Sequence, residues 1–250
     1  MPRWSQLLDK VSESKTVAIS DKARQMQQSG ISVVNLGGGD PDFNTPEHIA
    51  KAGIAAIEKG MTHYVDSRGL PDLRKAVSAK FQRENGVTYD ADKEIIATAS
   101  GKLALYIGLM GIVDAGDDVF IIEPAWVSYA PLVTLLGGTP VPVALDPADN
   151  FTLSRAALDA AATPRTKAVL VNSPNNPCGR VMTAAELDAL RGFAAGRGLW
   201  VLGDEIYGHL IYGGRKHVSP ASLPGMRERT ITINGMSKAY AMTGWRLGYL

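Results

Sequence analysis

Amphipathic and wholly apolar segments take turns along this 250-residue chain, and that alternation limits the fold more than any other feature. Helical and strand signals in succession are the mark of an α/β layer fold. Residues 46–59 predict a helix, with Thr45 as its cap, Pro46 in the first turn and Gly60 at its end. Residues 71–85 repeat the design: Pro71 leads, Leu73, Val77 and Phe81 share one face, and Asn85-Gly86 closes it. Thr183 and Glu186 form a capping-box pattern ahead of Leu187, Leu190 and Phe193. Short apolar runs lie between such helices: Glu94–Thr98, Val119–Ile122, Thr139–Leu145, Ala168–Val171, Leu199–Leu202 and Thr230–Ile233. They are rich in Val, Ile and Leu and lack clean alternation, as in strands covered on both faces. The expected fold is α/β, a mainly parallel, doubly wound sheet with helices on both faces.

Charge and cysteine usage narrow the function. Lys and Arg number 26 against 25 Asp and Glu, a formal net charge of +1, which argues against a dedicated nucleic-acid binder. A single cysteine, Cys178, excludes an intramolecular disulfide and any multi-cysteine zinc or iron–sulfur site. The opening residues lack the apolar core and small-residue cleavage site of a secretory signal. The longest apolar run, Leu103 to Val113, falls short of the ~20 residues that cross a bilayer. A soluble, cytoplasmic protein that contacts neither membrane nor nucleic acid is the expectation. The first 30 residues are more polar and read as a separate arm. Trp245–Leu250 reads as a further strand in which the chain stops with no polar tail, so truncation is expected.

Ligands of open α/β sheets gather beyond the carboxyl ends of the strands, so the residues that follow each run matter most. After Glu94–Thr98 comes Ala99-Ser100-Gly101-Lys102 and a helical run, a turn suited to an anion, though without the spacing of a P-loop. After Val119–Ile122 comes Glu123-Pro124-Ala125-Trp126, whose indole could stack on a planar ligand or simply fill the core. After Ala168–Val171 comes the turn-rich Asn172 to Gly179, and after Leu199–Leu202 comes Gly203-Asp204-Glu205-Ile206-Tyr207. A buried strand-end Asp is costly unless it bridges to an Arg or meets a cationic ligand atom. Thr230–Ile233 leads into Asn234-Gly235-Met236-Ser237-Lys238, with Arg246 eight residues on. A lysine in an apolar pocket loses basicity and becomes a nucleophilic amine.

Singly, each junction has a bland reading as turn, core or solvated charge. Together they supply an anion cradle, a stacking aromatic, a carboxylate, hydrogen-bonding Asn and Tyr, a reactive lysine and a phosphate-pairing Arg. That inventory suits pyridoxal 5′-phosphate (PLP), which has a phosphate, a pyridine nitrogen, a phenolic oxygen and an aldehyde. Six segments, NLGGGDPDF (35–43), THYVDSRGLPDLRKAV (62–77), PAWVSYAPLV (124–133), NSPNNPCG (172–179), DEIY (204–207) and NGMSKAYAMTGWRLGY (234–249), span nearly the whole chain. Their order and spacing resemble the class I aminotransferases, PLP enzymes of the aspartate aminotransferase fold, with the aspartate or prephenate subgroup nearest in flavour.

The resemblance implies roles. Lys238 matches the lysine that condenses with the cofactor aldehyde and later moves a proton between the substrate α-carbon and the cofactor. Asp204 matches the partner of the pyridine nitrogen, and Asn176 and Tyr207 match the groups that bond the phenolic oxygen. Trp126 matches the ring-stacking aromatic, and Ser100, Gly101, Lys102, Ser237 and Arg246 fall on the phosphate cradle. Tyr64 resembles a tyrosine that reaches the neighbouring subunit's phosphate, which implies a homodimer. Gly39, with Trp126 and Asn176, falls beside the substrate. Residues 1–45 would form an arm and a small-domain segment, and residues 46–250 the large PLP-binding domain. The implied reaction exchanges an L-amino acid, aspartate-like or related, with a 2-oxo acid.

The chain departs from the pattern in places. Ala125 stands where the subgroup commonly has an aromatic, and Cys178 where Thr is usual. The family continues into a small domain carrying the arginine for the substrate α-carboxylate, so this chain alone is expected to hold PLP but to transaminate poorly. The alternatives are a non-catalytic PLP-binding remnant and another α-carbanion reaction such as a β-lyase. Ser12 and Lys15 match a β-lactamase spacing with no Lys-Thr-Gly to follow, and no histidine follows Ser237 to complete a hydrolase triad. The four histidines show no close metal-ligand spacing.

Overall fold

Side chains along the central strands alternate between two apolar cores, the direct sign of a sheet sandwiched by helices. The structure, a computed structural model, describes residues 5–11 and 14–250. Five strands, β2 (Asp118–Glu123), β3 (Thr139–Ala144), β4 (Thr166–Asn172), β5 (Trp200–Asp204) and β6 (Thr230–Gly235), run parallel, preceded by the short β1 (Ala97–Thr98). The final strand, β7 (Gly248–Tyr249), pairs antiparallel with both β6 and β1, giving the order β1-β7-β6-β5-β4-β2-β3. The predicted α/β class and mostly parallel sheet are therefore present.

The described residues form seven helices: α1 (Lys15–Gln28), α2 (Glu47–Glu58), α3 (Pro71–Asn85), α4 (Gly101–Met110), α5 (Tyr129–Leu135), α6 (Arg155–Ala161) and α7 (Ala184–Arg197). Val119, Ile121, Ala168, Leu170 and Leu202 pack on one face with Leu105, Leu109 and Val133 of α4 and α5. Phe120, Val169, Val171 and Val201 pack on the other with Leu158 of α6 and Leu190 and Phe193 of α7. Phe120 and Phe193 stack at 5.8 Å between centroids. A smaller cluster of Val77, Phe81, Ile95 and Tyr249 ties α3 to the β7 end.

Local signals act largely as read. The capping box of α7 is complete: Thr183 Oγ1 accepts from Glu186 N while Glu186 accepts from Thr183 N. Gly86, at φ +68°, ends α3. Three expectations change. Thr45 does not cap α2; it donates to the Ala241 carbonyl (2.7 Å) and accepts from Trp245 Nε1 (3.1 Å). The Glu94–Thr98 run shortens to two paired residues because Glu94 closes a turn with Asp90. Trp245 belongs to a 3₁₀ turn, Thr243–Trp245, because Arg246 adopts φ +56° and delays the strand to Gly248. Ser12 lies outside the described residues.

Candidate active site

The ends of β4, β5 and β6 lie in register, Asn172 beside Asp204 and Asp204 beside Ile233, so the loops beyond them converge on one cleft. Its volume is about 710 Å³. Ser100, Gly101, Lys102, Trp126, Asn176, Asp204, Tyr207, Ser237, Lys238, Arg246 and Gly39 all line it. Residues up to 207 positions apart in the chain thus meet as the sequence predicts. Tyr64 does not join them; its side chain is fully exposed outside the cleft of its own chain.

At the floor, Asp204 is buried and accepts from Tyr129 Oη (2.7 Å) and from Ile206 N (3.2 Å). Burial pushes its pKa up to about 6, against the pull of those two donors, and the neighbouring Glu205 charge adds to the rise. Among the described residues no Lys, Arg or His bridges to it. A carboxylate so placed calls for a cation in the cleft.

Lys238, half-buried, donates to the Gly39 carbonyl, and its Nζ lies 5.8 Å from the Tyr207 ring centroid. Burial lowers its basicity, with Asp40 pulling the other way. Asn176 Nδ2 donates to Tyr207 Oη at 3.4 Å, and burial followed by the Asp204 charge raises the Tyr207 phenol. Asn172 holds this corner together: its Nδ2 donates to the Asp204 carbonyl (2.8 Å) and its Oδ1 accepts from Asn176 N (2.6 Å).

The opposite wall is the start of α4. Ser100 caps it, accepting from Leu103 N at 3.3 Å, in a backbone conformation of φ +124° that serine rarely adopts. The crossing of β7 behind this turn is close. A Cβ on Gly248 would stand 2.3 Å from Gly101 N and 2.4 Å from the Ser100 carbonyl carbon. Lys102 and Arg246 line the cleft here with no carboxylate partner among the described residues. Lys102 Nζ sits 4.9 Å from the Trp126 ring centroid, and Trp126 meets Tyr129 edge to face at 5.5 Å.

A free N–H turn with two unpaired cations at one end, a buried unpaired carboxylate on the floor and an amine of lowered basicity make complementary demands on a ligand. They fit a phosphate, a protonated ring nitrogen and an aldehyde, which PLP carries in one molecule. Sequence reasoning overlooked Tyr129, Asn172 and Asp40. Tyr129 stands three residues after Trp126 at a helix start, a spacing that puts both on one side.

These features define an α/β cleft at the carboxyl ends of parallel strands. The family model for aminotransferase class I and II matches residues 31–250, and the chain belongs to that family. It is 47 % identical over 244 residues to a probable aspartate/prephenate aminotransferase of Rhizobium leguminosarum bv. phaseoli, covering 97 % of this chain and 61 % of that protein. It is 46 % identical to an aspartate aminotransferase of Geobacillus stearothermophilus over 94 % of this chain and 60 % of that one. The solved aspartate aminotransferase of Thermus thermophilus with maleate superposes with a TM-score of 0.95 at 42 % identity, over all of this chain and 64 % of that one. The chain therefore spans about three fifths of the relatives it matches.

Proposed function

We propose that this chain binds PLP in the cleft and serves the transamination of an L-amino acid, aspartate-like or related, with a 2-oxo acid. One observation carries the reading: a buried carboxylate without a cation, Asp204, shares a cleft with Lys238, an amine of lowered basicity. When bound, PLP supplies an aldehyde that condenses with amines and a protonated ring that accepts electrons from the substrate α-carbon. Asp204 holds the proton on the ring nitrogen, and Tyr129 and Asn172 fix its orientation. Asn176 and Tyr207 bond the phenolic oxygen. Ser100, Gly101, Lys102, Ser237 and Arg246 hold the phosphate, with Arg246 suited to bidentate pairing. Trp126 covers one ring face and excludes water. Lys238 would hold the aldehyde and would take and return the proton of the substrate α-carbon. Gly39 offers its backbone to the substrate. The space beside it is open, since a Cβ there would meet nothing within 4 Å.

A homodimer completes the reading. α2 buries no residue, and Phe43, Ile54 and Ile57 are 79 %, 56 % and 69 % exposed in the single chain. Such a surface suits a second copy, whose cleft Tyr64 would reach. The cytoplasm as its location, a biosynthetic role, and the division into an arm and small-domain segment (1–45) and a large domain (46–250) belong to the same reading. No helix among the described residues is long and apolar enough to cross a membrane.

The test is chemical. The chain mixed with PLP is reduced with borohydride, digested and mapped by mass spectrometry. A phosphopyridoxyl adduct confined to Lys238 supports the proposal; no label, or label scattered over surface lysines, overturns it.

A further inference from the structure

Behind Asp204 lies a second buried carboxylate that the proposed chemistry does not use. Adjacent residues at a strand end point to opposite faces, so Asp204 faces the cleft and Glu205 faces away. Glu205 is buried and accepts from three separate segments: Asn85 Nδ2 at the end of α3 (2.9 Å), Ser219 Oγ (2.5 Å) and His217 Nε2 (2.8 Å). The His217 side chain is 10 % exposed, and its other ring nitrogen, Nδ1, is buried with no hydrogen-bond partner. A ring held this way, with one nitrogen bound to a carboxylate and the other orphaned, needs a reason beyond packing.

The surrounding charges do not provide a competing one. Lys80, Arg83 and His209 all bond Glu84 rather than Glu205. Tyr89 and Tyr249, which also feel the Glu205 charge, are phenols that burial pushes up, and Arg227 over Tyr89 pairs with Glu94. Among the described residues, His217 is the one basic side chain in contact with Glu205.

We propose that His217 is a positioning residue that acts through Glu205 on Asp204: a proton on the His217 ring offsets the Glu205 charge and favours ionised Asp204. The use of that ionised group, to hold a proton on the PLP ring, rests on the proposed function; the charge coupling does not. The negative charge of Glu205 opposes ionisation of Asp204 one residue away, which is the coupling the pair would relieve.

The cofactor-free chain, labelled with ¹³C-carboxyl aspartate and ¹⁵N-imidazole histidine, provides the test by NMR. Asp204→Asn and His217→Gln identify the two resonances. In the intact chain the Asp204 carbon shows its own ionisation and a second, smaller step that coincides with proton loss at His217. Glu205→Gln lowers the Asp204 midpoint and His217→Gln raises it, each by about half a pH unit or more. A role in packing alone would move both the same way or neither. An Asp204 titration blind to His217 in the intact chain overturns the inference, whether or not the variants fold. Coupled titration without Lys238 labelling upholds the coupling and overturns the PLP reading; labelling with an uncoupled Asp204 does the reverse.

Discussion

Asp204 is held against its own stability. Its pKa of about 6 in the folded chain, against an ordinary 3.8, means that the folded state binds its proton more tightly than the unfolded one. The group's contribution to stability is therefore greatest below about pH 4 and is lost as pH rises through 6, at a cost of roughly 3 kcal/mol by pH 7. Asp204→Asn removes the charge. Thermal scans of the cofactor-free chain at pH 7.5 are expected to show a gain of roughly 5–10 °C that vanishes near pH 4. The same variant is expected to bind PLP at least about 30-fold more weakly, because the ring cation loses its buried partner. A destabilised variant at pH 7.5 would mean that Asp204 serves structure first. Asp204, Asn176 and Lys238 were legible because each ends a strand or stands in the loop just beyond one. Tyr129 and Asn172 were not, since an aromatic in an apolar helix and an Asn in a turn read as core and punctuation until the fold brings them to Asp204.

At the scale of elements, the caps and the crossings differ in how much they matter. Thr183→Ala breaks the capping box of α7 and is expected to cost about 1 kcal/mol in urea denaturation, leaving the cleft intact. Gly248→Ala is a harsher change, because its new Cβ would collide with backbone at Gly101 and Ser100 rather than with a side chain that can swing away. An expected loss of ~2–4 kcal/mol follows, together with weaker binding of inorganic phosphate, since the turn that would hold it must shift. Urea midpoints and a phosphate titration check the pair, and an unperturbed Gly248→Ala would mean the crossing has room to spare. Helix ends set by Pro and Gly were readable because those residues act on their own backbone. Thr45 and Trp245 were misread because their hydroxyl and indole bond each other across 200 positions, which no local pattern carries.

For the molecule as a whole, the exposed face of α2 is the feature least at ease in water. Ile57→Asp places a charge in the middle of the surface assigned to a second copy. Sedimentation velocity is expected to show a dimer for the parent chain and a monomer for the variant; identical profiles would remove α2 from the interface. The two cores arise from patterns that the sequence displays strand by strand, whereas the sheet order depends on pairings between distant segments, such as that of β7 with β1 more than 140 residues earlier.

That placement has a consequence for how the protein is made. β7 is wedged between β6 and β1, so Gly248 and Tyr249 join β1 to the sheet. The Ser100 turn leaves the ribosome roughly 150 residues before Gly248 does, a wait of about ten to thirty seconds at ordinary rates of translation. Through that interval the strands from β2 to β6 can assemble in order of synthesis, while the Ser100 turn has no wall to lean on. A nascent chain therefore completes the Ser100 turn only after β2 to β6 have been made, and any ligand that depends on that turn waits for the same moment.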